Sequence, residues 1–88
     1  MTTFKEYPKL IRRIGTFSIP VSLIQDNPKA ASTILSTVIP VRAEQMWVND
    51  TIEYVGISNY FEHVDIGGVP PKYKAILEDQ SVRWEKVA

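Results

Sequence analysis

The stretch Thr16-Phe17-Ser18-Ile19-Pro20-Val21-Ser22-Leu23-Ile24 alternates without a break: Phe17, Ile19, Val21 and Leu23 fall on one side, Thr16, Ser18, Pro20 and Ser22 on the other. A period of two marks a strand with one buried and one wet face. Pro20 has no amide to give a ladder, so this strand is expected at a sheet edge or broken at that residue. Upstream, Lys9-Leu10-Ile11-Arg12-Arg13-Ile14 reads as a preceding strand, with Gly15 supplying the bend. Composition points the same way: nineteen isoleucines and valines stand against four leucines, and branching at the β-carbon favours the pleated strand over the helix.

Downstream, Asp26-Asn27-Pro28 is a helix start, because Asn or Asp caps free amides and Pro at the first helical position sacrifices no bond. Ala30, Ala31, Ile34, Leu35 and Val38 then recur at helical spacing. One short helix is expected, over residues 28–36, too short to persist unless it packs on a sheet. Ile39-Pro40-Val41 echoes Ile19-Pro20-Val21 and marks a second edge or bend.

Two hairpins follow. Asn49-Asp50 suit the positive φ values of a tight turn, pairing residues 43–48 with 51–57. That register sets Trp47 opposite Ile52 and Gln45 opposite Tyr54 on a buried aromatic face, with Met46 opposite Glu53 behind. In the second hairpin residues 73–78 return through Asp79-Gln80 to residues 81–87, with Leu77 opposite Val82, Ala75 opposite Trp84 and Lys74 opposite Glu85. Apolar and charged pairs separate onto different faces, as a correct register requires. The expected fold class is mainly β (α+β): a small antiparallel sheet or partly open barrel of about 5–6 strands with one short helix.

The 88 residues have room for one core, so the expectation is a single domain spanning 1–88. No apolar run reaches the roughly 18–20 residues of a membrane span, and Met1-Thr2-Thr3-Phe4-Lys5-Glu6 lacks the basic start and apolar stretch of a signal peptide. A soluble, cytoplasmic protein is expected. With no cysteine, disulfides, thiolate metal sites and cysteine nucleophiles are excluded, and the lone His63 excludes sites needing two imidazoles. Glu62 and Asp65 beside His63 make a weak constellation, so no metal or cofactor is expected, and without a nucleophile elbow or phosphate loop the chain reads as non-enzymatic.

Ten basic and ten acidic residues cancel, but residues 1–44 carry six basic and three acidic while residues 45–88 carry four and seven. The asymmetry of +3 against −3 suits head-to-tail association or internal pairing. Nucleic acid is disfavoured as a partner, since neither sign predominates. A core this small, with no disulfide to staple it, makes a homo-oligomer the expected state.

Residues 58–71 show no periodicity, and loops of this length are commonly functional. Asn59, Tyr60, Phe61 and His63 make the loop rich in recognition side chains, Gly67-Gly68 supplies flexibility and Pro70-Pro71 a stiff return. His63 fits a loop contact better than a catalytic base. Arg12, Arg42, Lys72 and Arg83 can flank aromatic faces, and a cation beside a ring holds a nucleotide through its phosphate and base. Tyr60 and Tyr73 are the better rings for this, because Trp47 and Trp84 are placed in the core by their expected faces. The candidate binding set is therefore Arg12, Arg42, Asn59, Tyr60, Phe61, His63, Lys72, Tyr73 and Arg83.

The opening Phe4-Lys5-Glu6-Tyr7-Pro8, Ile34-Leu35-Ser36, Met46-Trp47-Val48-Asn49-Asp50, Thr51-Ile52-Glu53-Tyr54-Val55-Gly56, Tyr73 and the closing Val82-Arg83-Trp84-Glu85-Lys86-Val87 resemble, in their order, a family of small uncharacterised proteins of tailed bacteriophages. Residues 27–33 depart from that pattern. The family brings no activity with it; the resemblance implies a phage setting, in which counter-defence and host takeover are common tasks. The functional expectation is a binding or inhibitor protein that acts as a homo-oligomer and either sequesters a small anionic nucleotide or blocks a host protein. The competing class is a structural subunit of a virion or scaffold.

Overall fold

The computed structural model describes residues 12–79 and 81–87. The chain runs β1 (Ile14–Pro20), α1 (Val21–Asp26), α2 (Pro28–Leu35), β2 (Ile39–Met46), β3 (Thr51–Ile57), β4 (Tyr73–Glu78) and β5 (Ser81–Lys86). It is a mainly β, α+β fold built of two small antiparallel sheets, a three-stranded one in the order β1-β3-β2 and the hairpin β4-β5. The sheets do not close into a barrel. They are joined by one parallel bridge between Thr16 and Lys72, where the Thr16 amide donates to the Pro71 carbonyl at 2.9 Å.

The expected strand over residues 16–24 stops halfway. Pro20 pairs with Thr51, the first residue of β3, so residues beyond it have no ladder partner on that side. Their backbone groups must then bond locally, and residues 21–26 wind into α1, with the Val21 amide held by the Asp50 carbonyl at 3.0 Å. Two helices therefore stand where one was expected. The second matches expectation: Asn27 Oδ1 accepts from the Ala30 amide at 3.2 Å, Pro28 begins α2, and Ala31 and Ile34 are buried. Gly15 is not a bend but a strand residue opposite Gly56, and residues 9–11 of the expected preceding strand lie outside the described residues.

The first hairpin forms with its register moved by two. Gln45 opposes Ile52 and Met46 opposes Thr51, so residues 47–50 make a four-residue turn with a positive φ of 52° at Asp50. A slip of two keeps each side chain on its face, but Trp47 leaves the ladder and is 81% exposed instead of buried. At the other end of β2 the pairing shifts between Pro40 and Arg42, a bulge at the second Ile-Pro-Val. The β4-β5 hairpin has the expected register throughout, with Leu77 opposite Val82, Ala75 opposite Trp84 and Lys74 opposite Glu85.

The core lies between the sheets and under α2. Phe17 stacks on Tyr54 with ring centroids 5.2 Å apart, and Trp84 meets Phe17 and Phe61 edge-on at 4.9 and 5.1 Å. Ile19, Ala31, Ile34 and Val38 fill the remainder. Trp84 keeps its indole N–H satisfied by donating to Thr37 Oγ1 at 3.0 Å, and that hydroxyl in turn donates to the Ile34 carbonyl at 2.8 Å. The helix end, β5 and the aromatic cluster are thereby tied together.

Candidate functional site

Residues 58–71 leave β3 and return to β4, and their first half is fixed by bonds to the rest of the chain. Ser58 is buried; its Oγ donates to the Thr37 carbonyl at 2.8 Å and accepts from the Tyr60 amide at 3.2 Å. The Phe61 ring stacks on Tyr73 at 4.4 Å, nearly parallel at 15°, and the Glu62 amide donates to Tyr73 Oη at 2.8 Å. Arg13 Nη1 donates to the Phe61 carbonyl at 3.0 Å, while the Ser58 and Val64 amides donate to the carbonyls of Arg13 and Arg12 at 3.0 and 2.7 Å. A ring buried at the base and five bonds across it leave this segment little freedom.

The Lys86 ammonium adds an exposed tether to Glu62 at 3.0 Å. The hydrogen bond to Glu62, more than the charge attraction beside it, raises the Lys86 pKa above that of an ordinary lysine. A raised lysine stays charged up to a higher pH, so the lysine's side of this tether holds across the neutral range and is lost as pH climbs through the raised value. Its contribution is small, as for solvated pairs generally.

Beyond Val64 the loop turns outward. The Gly68 amide closes a turn on the Asp65 carbonyl at 2.8 Å, with Gly67 at a φ of +84° that a side chain would resist. This turn carries Ile66 and Val69 into solvent at 82% and 87% exposure, and Tyr60 projects nearby in sequence at 64%. His63 and Asp65 sit 3.7 Å apart, both exposed. The loop thus pairs a fixed base with an apolar, solvated crest.

The expected binding residues fall into three groups. Arg12, Asn59, Tyr60, His63 and Lys72 belong to the loop or to the segments bonded to it, and Tyr60, Asn59, His63 and Lys72 are exposed. Phe61 and Tyr73 are in the core, 1% and 5% exposed, and serve as the floor of the loop instead of as recognition rings. Arg83 and Arg42 lie elsewhere. Arg83 on β5 is engaged by Glu78 at 3.0 Å and Glu85 at 3.3 Å, and the bond to Glu78 above all raises its pKa further. Arg42 lies on the edge strand β2, whose packing is against β3. The cation-and-ring cradle expected for a nucleotide is therefore dispersed within one chain.

Sequence reasoning missed Ile66 and Val69, the most exposed apolar residues of the loop. The signal was available: Asp65-Ile66-Gly67-Gly68-Val69 places both in a glycine turn that no strand or helix can bury. A shallow groove of about 380 Å³ runs between α2 and β4, lined by Asn27, Lys29, Ala30, Thr33 and Leu77. Among the described residues no three His, Asp or Glu side chains converge as metal ligands, and no helix is long and apolar enough to cross a membrane. Comparison of the chain with protein-family models, with curated proteins and with solved structures finds no match.

Proposed function

We propose that this is a non-catalytic binding protein, encoded by a tailed phage and acting in the host cytoplasm, that works as a homo-oligomer and blocks a host protein through residues 58–71. The observation that supports a protein target is the exposure of Tyr60, Ile66 and Val69 on one loop whose base is held by hydrogen bonds and a ring stack. Exposed aromatic and aliphatic side chains are typical anchors of an interface. The base of the loop, held by five bonds, has little conformational entropy left to lose on docking, so more of the contact energy appears as affinity. The resemblance of the chain to small tailed-phage proteins supports the setting.

A small anionic nucleotide held between protomers is the second reading, and the exposed Lys72, next to the loop's return at Pro71, is the residue that favours it. It is the weaker one, because Tyr73 is buried and Arg83 is already paired. Native mass spectrometry of the protein from its producing cells separates these readings. The expected result is a closed oligomer with a stoichiometric protein partner that is lost in the Tyr60→Ala/Ile66→Ser/Val69→Ser variant and kept in Trp47→Ser. An oligomer carrying only a mass of nucleotide size replaces the protein target with a nucleotide, and an open ladder of large assemblies replaces both with a structural subunit.

A further inference from the structure

β2 is an edge strand eight residues long, and every residue from Ile39 to Gln45 is exposed. Such an edge offers unpaired amides and carbonyls to another strand unless something blocks it. Here the protection covers one end only: Pro40 lacks an amide and a bulge follows it, whereas residues 42–46 pair regularly with β3 and, among the described residues, no strand pairs with their other side.

What fits that edge is set by its charges. In an antiparallel pair, residues directly opposite must both turn their backbone groups toward each other or both away. For two copies of one strand related by a two-fold axis, the axis must therefore pass through a residue and not between two. An axis at Arg42 sets Arg42 against Arg42; an axis at Glu44 sets Glu44 against Glu44. An axis at Ala43 sets Arg42 of each copy against Glu44 of the other, twice, with Ala43 facing itself. Arg42-Ala43-Glu44 is thus self-complementary in one register and self-repelling in those on either side.

Two features that the single chain leaves unresolved are met by this register. Glu44 lies directly opposite Glu53 in β3, a like-charge pair, and no ion pair among the described residues involves Arg42, Glu44 or Glu53. Arg42 of a second copy would stand next to Glu44 in the same cross-strand row. Trp47, 81% exposed at the turn, is brought to the end of the partner strand that carries Ile39 and Val41, each 56% exposed. We infer that two copies of this chain associate by antiparallel pairing of their β2 edges about a two-fold axis at Ala43, with reciprocal Arg42–Glu44 ion pairs fixing the register. This rests on the homo-oligomer reading above and gives it an interface.

Charge reversal tests it. Arg42→Glu leaves two glutamates facing two across the axis, and Glu44→Arg leaves two arginines facing two, so each variant alone repels itself. Mixed together, the two become complementary. Neither substitution strains the fold: position 42 opposes Val55 within the chain, and arginine at 44 would oppose Glu53. Light scattering coupled to size exclusion is expected to give the wild type at least twice its 10.0 kDa chain mass, each variant half the wild-type mass or less with unchanged circular dichroism, and the equimolar mixture the wild-type mass again. A wild type that stays monomeric at high micromolar concentration overturns this interface and the homo-oligomer together. An oligomer unaffected by either reversal overturns the β2 interface alone, and variants that dissociate but do not recover on mixing overturn the Ala43 register.

Discussion

Tyr60 and Phe61 are neighbours in sequence, and both are aromatic, yet one is 64% exposed and the other 1%. Truncating a buried aromatic side chain removes its transfer free energy and leaves a cavity, so Phe61→Ala is expected to cost about 3–5 kcal/mol, a large share of the stability of a domain this small. Tyr60→Ala is expected to stay within about 0.5 kcal/mol of wild type, as surface substitutions do. Urea denaturation of the two variants checks the contrast; equal losses would mean that the loop base is not part of the core. Gly15 makes a second residue-level case. A β-carbon there would come within 2.6 Å of the Tyr73 ring and 3.1 Å of Phe61, and those rings are buried and stacked on each other. Gly15→Ala should therefore destabilise by about 1–3 kcal/mol by overpacking, although alanine suits a strand better than glycine does. A melting temperature equal to that of wild type would show that the ring stack can shift.

At the scale of elements, α2 depends on its start. Asn27 spends its side chain on the Ala30 amide while its own amide bonds to the Leu23 carbonyl at 2.8 Å, so one residue ends α1 and caps α2. Asn27→Ala is expected to cost about 1 kcal/mol, read as a lower melting temperature with a proportionate loss of helical circular dichroism; no change would mean that tertiary packing alone holds the helix. This element was legible because its signals are local: a cap, a proline and an apolar spacing within ten residues. The β4-β5 hairpin was legible for a similar reason, since two faces of opposite character admit one register. The β2-β3 register was not, because it turns on whether Asn49-Asp50 form a two-residue loop or finish a four-residue one, and a shift of two leaves the face pattern the same. What changes is the fate of Trp47. The strand breaks at Pro20 on a sheet edge, as the proline's missing amide predicts. The alternation through residues 21–24 does not continue it, because alternation describes a face without guaranteeing a partner strand, and β3 begins opposite Pro20. For the loop, its position and importance as a candidate were visible in the residue types, whereas the division into a buried Phe61 and an exposed Tyr60 required Tyr73 and Trp84 to arrive from the far end of the chain.

For the whole molecule, the two tryptophans report on different surfaces. Trp84 is half-buried against Phe17 and Phe61 and hydrogen-bonded to Thr37, whereas Trp47 stands at the tip of the β2-β3 hairpin with 81% of its surface open. In Trp84→Phe the remaining fluorescence belongs to Trp47, and acrylamide quenching measures how far water reaches it. An isolated chain leaves Trp47 equally accessible at every protein concentration. Pairing of two β2 edges about Ala43 brings Trp47 against the partner's strand end and withdraws it from quencher, so the quenching constant should fall as concentration rises, following mass action. The same measurement in the Trp84→Phe/Arg42→Glu variant should stay at the high value throughout, and the loop variant Tyr60→Ala/Ile66→Ser/Val69→Ser should follow the parent, because its substitutions leave Arg42, Ala43 and Glu44 untouched. A concentration-dependent shielding of Trp47 that survives Arg42→Glu would place some other contact at the hairpin tip; shielding that disappears with the loop residues would mean that the crest of residues 58–71 joins the copies to each other and is not free for a host protein. The two surfaces thus stand or fall separately, since only the β2 edge depends on Arg42 and Glu44 and only the crest on Tyr60, Ile66 and Val69.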